Sequence, residues 1–330
     1  MQKFMTALFG FAFLASTATA DCAGINLIDA MSVEDQVELR GTTQAVPYAN
    51  GNFWRATKGS NVINLMGTYH FDDPRHDATM AILTPLIDAA SVVLVEAGPD
   101  EETALKQRIA DDPSLMLLQG PTLLERMKPD DWQVLADAMT ERGIPPIMTA
   151  KFQPWYVAMM LAVPPCDMGN LAGGTRGLDV RVMEAAKTAE TPVRALEPYD
   201  TIFRIFKQMS DAEQIAMIQS SLAFEDRMED YSATLADAYF AQESRLIWEF
   251  TREQSYAMPG YTPAQVDAEF AKMEEVMMAG RNRTWIPVLE QAAAQGPVMA
   301  AFGALHLSGK DGVLALLERS GWTVERLPLE

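Results

Sequence analysis

The stretch NVINLMGTYH, residues 61–70, decides which fold to expect for this 330-residue sequence. It reads as a buried strand that runs into Gly67 and then, three residues later, into His70. A glycine just past a strand permits a sharp turn without a Cβ clash, and the turn can aim an imidazole over the edge of a sheet. The stretch PVMAAFGALH, residues 297–306, repeats the pattern, so two of the three histidines share a Gly-x-x-His setting.

The segments that surround His70 predict a β–GxxH–α–β unit that ends in Glu96. Its elements are a hairpin of two strands, a helix and a third strand, at residues 53–58, 62–66, 77–90 and 91–97. The last strand, SVVLVEA, is short and continuously apolar, as buried parallel strands are. Because α/β proteins place their sites at the carboxyl edge of a parallel sheet, His70 and Glu96 are expected together at that edge.

The end of the chain repeats this unit, with His306 in the equivalent place. Its elements are predicted at residues 298–302, 313–319 and 322–327. The two ends look like related half-units, and whether they are a true internal duplication stays open. The expected fold class is α/β: a central mixed β-sheet with flanking helices and a large helical insertion between the two β–GxxH–α–β end units.

The middle of the chain is mostly helical by its pattern. Helices are predicted near residues 32–44 and at residues 101–111, 130–142, 152–161 and 178–189. Short strands are predicted at residues 146–150 and 193–196. No strand is predicted between residues 201 and 280, and residues from about 200 to 295 read as the mostly helical insertion. We expect a single domain over residues 21–330.

The first twenty residues read as a secretory signal peptide. Lys3 supplies a short positive region, residues 4–14 form an apolar core, and Ala18-Thr19-Ala20 is a cleavage signal. The mature chain is therefore expected to begin at Asp21. The apolar run is too short for a good transmembrane helix. We expect an exported protein of a bacterial periplasm, without a membrane span.

The two cysteines gain meaning from this expected export. Cys22 and Cys166 form an even pair, and in an oxidising compartment such a pair is most simply one disulfide bond. The alternative is two free thiols that act as metal ligands or nucleophiles. It is the weaker reading, because neither cysteine has a neighbouring histidine or a CxxC partner.

The charge balance limits the classes of partner. The chain has 26 Lys and Arg against 45 Asp and Glu, a net charge of −19. Nucleic-acid binding needs clustered Lys and Arg, so no nucleic acid is expected as a partner. A peptide or small-molecule substrate fits better, and a homodimer is left open.

Two imidazoles and a carboxylate at three strand ends predict a metal site made of His70, Glu96 and His306. Such ligands suit a divalent transition metal, Mn, Co, Fe or Zn. Three protein ligands leave a position for water, and a metal would lower the pKa of that water and create a nucleophile. Each histidine alone would read equally well as a hydrogen-bonded turn residue, and the matched context favours function.

Glu96 follows a buried strand, and a buried glutamate needs a partner. That partner could be a metal, His70 or an arginine, with Arg281 and Arg283 as candidates. The simpler reading of both arginines is a solvated helix end. His76 reads as a surface histidine at a helix start, with its role as a ligand left open.

Two further features have structural readings beside functional ones. Asp72 and Asp73 could be ligands, but helix capping explains them adequately. Residues 308–312, SGKDG, place a lysine and free N–H groups at a helix start, where an anion could bind.

These residues resemble the TraB/GumN family, and in particular its GumN-type bacterial members. The family is related to the Tiki metalloproteases and to the ChaN/erythromycin-esterase-like group. The resemblance extends from about residue 50 to the end of the chain. It is carried by five places: residues 65–70, the strand that ends in Glu96, Gly177-Leu178-Asp179 with Ala195-Leu196-Glu197, Arg281-Asn282-Arg283, and residues 302–307 with the GKDG tail.

The resemblance implies an active centre of the two GxxH histidines and the strand-end glutamate, completed by Arg281 and Asn282. In Tiki-type members this arrangement supports metal-dependent peptide cleavage. The expected function is therefore a periplasmic metal-dependent hydrolase, with a peptidase favoured and with Arg281 or Asn282 stabilising the oxyanion. Whether Glu96 is a ligand or a general base stays open. The alternatives are a non-catalytic haem- or ligand-binding protein and an accessory protein of envelope polysaccharide biogenesis.

Overall fold

A computed structural model describes residues 22, 24–169, 176–258 and 260–329. The predicted signal peptide and Asp21 lie outside these residues. A six-stranded mixed sheet forms the centre of the molecule, with strand order β4-β3-β5-β2-β1-β6. The strands are β1 Phe53–Lys58, β2 Asn61–Thr68, β3 Val92–Val95, β4 Val193–Ala195, β5 Val298–Gly303 and β6 Thr323–Arg326.

The hairpin and the parallel core of the sheet are as the sequence predicts. β1 pairs antiparallel with β2, and Gly59 in the turn between them has a φ of +63°. β2, β5, β3 and β4 are parallel, whereas β6 pairs antiparallel with β1 at the far edge. The expected α/β class is confirmed.

β5 lies between β2 and β3, and this position brings the two end units together. Thr68 of β2 pairs with Gly303 of β5, and Val95 of β3 pairs with Ala301. The carboxyl ends of the three strands are therefore adjacent. β5 can take the central place because all its residues before Gly303 are apolar and buried, so helices can cover both faces.

Fifteen α-helices of the described residues surround the sheet. They are α1 Val33–Gln44, α2 His76–Asp88, α3 Pro99–Asp111, α4 Leu123–Arg126, α5 Pro129–Glu141, α6 Pro146–Thr149, α7 Pro154–Leu161, α8 Leu178–Thr188, α9 Thr201–Lys207, α10 Asp211–Leu222, α11 Met228–Phe240, α12 Ser244–Ser255, α13 Pro263–Glu274, α14 Gly280–Ala293 and α15 Val313–Arg319. Between α13 and α14 the same helical segment contains a π-helical turn, Glu275–Ala279.

Alternate residues of the strands face two different helical layers. On one face, Leu65 and Ala300 pack with α14 and α15, for example against Leu289. On the other face, Met66 and Ala301 pack with α2 and α8. α14 thus lies directly on the sheet, and its first turn reaches the carboxyl edge.

A second group of helices packs around a core of its own, and it comes from both long intervals between strands, the one before β4 and the one after it. Leu135 of α5 and Leu161 of α7, which precede β4, share one core with Ile218 of α10, which follows it. The described residues between 201 and 280 contain no strand, as predicted. The helices before residue 200 therefore belong to the same body as those after it.

One predicted strand is wrong. Residues 146–150 were expected to be extended, but Pro146–Thr149 form the short helix α6. Pro146 occupies the first helical position, where its missing N–H is not needed, and the N–H of Thr149 bonds the carbonyl of Pro145 at 3.1 Å. Ile147 is exposed, so its apolar character marks no buried strand.

The predicted pairing of the cysteines is confirmed by distance. The sulfur atoms of Cys22 and Cys166 lie at bonding distance, and their Cα atoms are 5.5 Å apart. The pair joins the N-terminal arm to the segment between α7 and α8. No helix among the described residues is long and apolar enough to cross a membrane.

Candidate active site

The two Gly-x-x-His segments meet at the carboxyl edge of the sheet, and their glycines are needed for close packing rather than for a turn. Neither Gly67 nor Gly303 has a positive φ, which differs from the reason that the sequence suggested. Gly67 lies inside β2, where a Cβ would stand 2.8 Å from the Cα of Ala304. The first motif thus packs directly against the turn of the second.

Gly303 marks the point on which the three predicted ligands converge. A Cβ built on this glycine would lie 3.2 Å from Oε1 of Glu96, 3.6 Å from Nε2 of His70 and 3.7 Å from Cδ2 of His306. Residues that follow the carboxyl ends of β2, β3 and β5 therefore surround one small volume at the sheet edge. The structure brings together all three residues that the sequence selected.

Glu96 is held as a carboxylate by contacts to both of its oxygens. Oε1 accepts the Gly303 N–H at 2.7 Å, and Oε2 accepts a hydrogen bond from Nη2 of Arg281 at 2.5 Å. Burial would raise its pKa, but His306, Arg281 and His70 outweigh burial and lower the pKa of Glu96 to about 2. At neutral pH the carboxylate is charged.

His306 is buried and uncharged. Burial lowers its pKa to about 4, although the neighbouring Glu96 acts in the opposite direction. Nδ1 lies 2.6 Å from Oδ1 of Asn282, and Nε2 lies 3.2 Å from Nη1 of Arg281 and 3.9 Å from Oε1 of Glu96. Because an amide oxygen accepts and a guanidinium donates, this network assigns the proton to Nδ1. The ring also packs on Trp285, with 4.4 Å between centroids.

His70 stands at the open side of the site, with 63% of its side chain exposed. Nδ1 lies 3.1 Å from Oδ1 of Asp179. Loss of hydration lowers the pKa of His70, but the bond to Asp179 and the charge of Glu96 outweigh it and raise the pKa to about 9. The imidazole is therefore held by a carboxylate, with Nε2 directed towards the centre.

Asp179 reaches His70 because α8 begins against the end of β2. The Leu178 N–H donates to the carbonyl of Tyr69 at 2.9 Å. At Gly177 a Cβ would lie 2.2 Å from the carbonyl oxygen of His70, so no larger residue fits there. The Gly-Leu-Asp sequence thus places one carboxylate beside the first histidine.

Arg281 is the most connected side chain of the site. It forms two bonds to Glu197, from Nε to Oε2 at 2.9 Å and from Nη2 to Oε1 at 2.6 Å, and Nη1 also donates to the carbonyl of Met277 at 3.0 Å. Trp285 donates to Oε2 of Glu197 at 3.1 Å and lies under the guanidinium. The reading of Arg281 as a solvated helix end is wrong, and its alternative, a partner of Glu96, is confirmed.

Asn282 lies behind His306, with 1% of its surface exposed. Its Oδ1 accepts from His306 as described above, and its Nδ2 donates to the carbonyl of Asp311 at 2.9 Å. Both ends of the amide are therefore occupied within the protein. This position suits a residue that orients His306.

Asp179 and Glu197 also belong to the site, although neither was predicted to have a role there. Both stand in motifs that carried the family resemblance, and that was the available signal. The residue type of Asp179 and Glu197 alone gives no such signal, because an acidic residue in the first turn of a helix or just past a strand is common on any protein surface.

The remaining candidates lie outside the centre. His76 is fully buried rather than exposed, with Nε2 3.1 Å from the carbonyl of Phe71. Asp72 pairs with Arg181, at 2.7 Å, whereas Asp73 accepts the backbone N–H of Arg75 at 2.8 Å. Arg283 is paired with an exposed acid, as expected for a solvated helix end.

The loop of residues 308–312 uses part of its backbone internally. The Gly309 N–H donates to the carbonyl of Pro47 at 2.8 Å, and the Gly312 N–H donates to Gly309 at 3.1 Å. These two N–H groups do not face an anion. The loop's Asp311 carbonyl instead supports Asn282.

The donor set fits a divalent transition metal, although the geometry requires a small adjustment. Each histidine has Nδ1 held by a second residue, which leaves Nε2 for an ion, as is usual for metal-binding histidines. Two ligands of a tetrahedral ion stand about 3.3 Å apart, so Glu96 and His306 would have to approach by about half an ångström. Among the described residues, no three His, Cys, Asp or Glu side chains are already arranged to hold an ion. Arg281 is hydrogen-bonded to two of the three predicted ligands, Glu96 and His306.

The fold and the site define an α/β protein in which imidazole, carboxylate and guanidinium groups meet at the carboxyl edge of a mixed sheet. The chain belongs to the TraB/PrgY/gumN family, whose model matches residues 52–326. That range contains every strand and the whole centre, so the resemblance noted in the sequence is confirmed. A search of curated proteins found no match.

Proposed function

We propose that this chain is a metal-dependent hydrolase, with peptide bonds as the leading substrate. The observation that carries the proposal is the convergence of His70, Glu96 and His306 around Gly303, with Nε2 of each histidine left free of the residue that orients it. A divalent ion held there would lower the pKa of a bound water and so supply a nucleophile. The exposed side of His70 leaves room for substrate to approach.

The protein groups have distinct roles in this proposal. His70, Glu96 and His306 are the metal ligands. Asp179 and Asn282 are positioning residues, because each touches a histidine and neither needs to touch substrate.

Arg281 carries a permanent positive charge beside the centre. Its Nη1 and Nη2 atoms face the centre, where they can donate to an oxyanion that develops on the substrate. Asn282, with its amide already bonded on both sides, is not assigned this role.

Glu96 acts as a ligand rather than as a general base in this proposal. An efficient general base has a pKa near the working pH, and a pKa of about 2 is far too low. A carboxylate that stays charged over the whole physiological range is, however, a suitable metal ligand.

A second candidate is a hydrolase that works by acid–base catalysis without a metal. Arg281 already bonds both Glu96 and His306, so the charge of Glu96 has a partner without an added metal ion. In this candidate His70, held protonated beside Asp179 with its pKa raised to about 9, donates its proton to the leaving group while the attacking water loses a proton to solvent, and Arg281 again stabilises the oxyanion.

The decisive experiment measures the metal content and peptide hydrolysis of the purified mature protein. His70→Ala and His306→Ala are compared with His76→Gln, which removes the histidine outside the centre. About one equivalent of Mn, Co, Fe or Zn, lost in both alanine variants but kept in His76→Gln, supports the metal-dependent form. Hydrolysis that persists in a metal-free preparation supports the acid–base form. No metal and no hydrolysis of any peptide would refute both.

Export to the periplasm is part of the proposal. It is supported by the disulfide-distance pair of Cys22 and Cys166, which suits an oxidising compartment. N-terminal sequencing of the protein from a periplasmic fraction should begin at Asp21. A first residue of Met1 in the mature protein would contradict this.

A further inference from the structure

The guanidinium of Arg281 occupies the place where a cation would bind. Its Nη1 lies 3.2 Å from Nε2 of His306, and its Nη2 lies 2.5 Å from Oε2 of Glu96. Nε2 of His306 has one lone pair, and a metal would use that same lone pair. Two of the three ligands of the proposed site are therefore already bonded to a positive group of the protein itself.

Glu197 offers Arg281 a second carboxylate on its other side. The two bonds between them, at 2.9 and 2.6 Å, use Nε and Nη2. The indole N–H of Trp285 also donates to Oε2 of Glu197, at 3.1 Å. Glu197 is thus fixed in place independently of whether Glu96 keeps its bond to the arginine.

From this arrangement we infer that Arg281 is an internal cation that exchanges with an external one, and that Glu197 is the positioning residue that retains it. This inference rests on the proposed function. If a divalent ion took Glu96 and His306, Arg281 would give up those two contacts and would keep its Nε bond to Glu197. The centre then never exposes an unpaired buried carboxylate.

The charges of the cluster agree with such an exchange. A metal-ligating histidine is uncharged, so in the loaded centre the three carboxylates of Glu96, Glu197 and Asp179 stand against one positive charge, that of Arg281. Their net formal charge of −2 matches a divalent ion while the arginine stays. Without Glu197 one of these negative charges is lost, so the ion should be held more weakly.

The contacts of Arg281 also limit how far it has to move. The hydrogen bond from Nη1 to the Met277 carbonyl and the contact with Trp285 place the side chain along the first turn of α14. The bond from Nε to Glu197 involves neither atom that faces the centre. A rotation of the guanidinium about this anchored side would move Nη1 and Nη2 away from His306 and Glu96, and it would also move Nη2 relative to Oε1 of Glu197.

The test is the affinity of the metal-free mature protein for Mn²⁺ and Zn²⁺, measured by titration calorimetry. Arg281→Met removes the internal cation, whereas Arg281→Lys keeps a positive charge that can still pair with a carboxylate. We expect Arg281→Met to bind the ion at least about tenfold more tightly than the unchanged protein, which corresponds to about 1.4 kcal/mol, and we expect the affinity of Arg281→Lys to lie between the two. We expect Glu197→Gln to bind it at least about tenfold more weakly.

The exposed ion pair of Arg283 and Glu275 supplies matched controls, because it lies on the same helical segment. Arg283→Met removes one positive charge, as Arg281→Met does, and Glu275→Gln removes one negative charge, as Glu197→Gln does. Both control variants should leave the metal affinity within about twofold, since exposed charges are well screened. Circular dichroism confirms that each variant is folded.

The outcomes separate this inference from the proposed function. If the unchanged protein binds one ion, and neither Arg281 variant binds it more tightly, the inference is overturned while the proposed function stands. If the unchanged protein binds no ion but the Arg281 variants do, Arg281 blocks the site permanently, which overturns both the exchange and the metal-dependent form of the function. If no folded variant binds an ion, both the inference and the metal-dependent form of the function fail.

Discussion

The two Gly-x-x-His segments share a sequence pattern and a sheet edge, yet they place their histidines in opposite surroundings. His70 is largely exposed and bonded to the carboxylate of Asp179, so its pKa is raised to about 9. His306 is buried and bonded to the amide of Asn282, so its pKa is lowered to about 4. The motif therefore determines the position of the imidazole, whereas the hydrogen-bond partner and the burial of the ring determine whether the imidazole is charged.

The largest expected effect comes from removing each histidine in turn. We expect His70→Ala and His306→Ala to reduce hydrolysis by about 10²–10⁴-fold, the range typical of a positioned catalytic group. Their stabilities should differ, because only His306 fills buried space against Trp285. His306→Ala should lower the free energy of unfolding by about 2–4 kcal/mol, and His70→Ala by less than about 1 kcal/mol. Denaturant melts with peptide assays measure both.

Equal stability losses in the two variants would break the comparison, because they would mean that the two rings are buried alike. His76→Gln serves as the control for hydrolysis, since that ring lies outside the centre.

Changing the partners of the two histidines tests the comparison more directly. Asp179→Asn should lower the pKa of His70 from about 9 towards the ordinary value of about 6.5, because the attraction to a negative charge is lost. Asn282→Asp should raise the pKa of His306 from about 4 for the opposite reason. Nuclear magnetic resonance titration of the metal-free protein reports both values. Metal affinity should fall by about 10–100-fold in Asp179→Asn.

An unchanged pKa of His70 in Asp179→Asn would show that Glu96 alone sets its charge. Asp72→Asn is the matched control, since that carboxylate pairs with Arg181 instead.

The smallest expected effect concerns His76, which has no Gly-x-x-His setting. Burial lowers its pKa, and its Nδ1 has no hydrogen-bond partner among the described residues. The unfolded chain then binds more protons than the folded one below about pH 6.5, so stability falls as the pH is lowered. His76→Phe should reduce this dependence by up to about 1.4 kcal/mol per pH unit. Chemical denaturation between pH 5 and pH 8, a range of roughly three units around that pKa, measures it.

His306 has a lowered pKa as well, so part of the slope should remain in His76→Phe. A slope identical to that of the unchanged protein would mean that His76 is charged or solvated in the folded state.

Much of this fold could be predicted because the strands and helices differ clearly in their periodicity. The hairpin, the strand before Glu96 and the helix of residues 313–319 all follow from local pattern. The position of β5 between β2 and β3 could not be predicted, since pairing depends on which faces the whole set of helices can cover. The strand expected at residues 146–150 failed because a short apolar run does not distinguish a strand from a helix.

The site was predictable as far as residue type and chain position allow. His70, Glu96 and His306 were selected by their matched settings and by the need of a buried carboxylate for a partner. The local pattern around Arg281 favours a solvated helix end, because the sequence does not show that α14 begins over the sheet edge. Only the family resemblance places Arg281 in the active centre. Asp179 and Glu197 were not selected because their roles depend on which histidine or arginine the fold places beside them.

The central place of β5 has a consequence for how the molecule is made. This strand, Val298–Gly303, is synthesised long after β2 and β3, yet both pair with it, one on either side. Such pairing joins residues more than 200 positions apart, and contacts of that separation form late and slowly. A nascent chain that lacks β5 therefore has neither a continuous sheet nor the turn that carries His306.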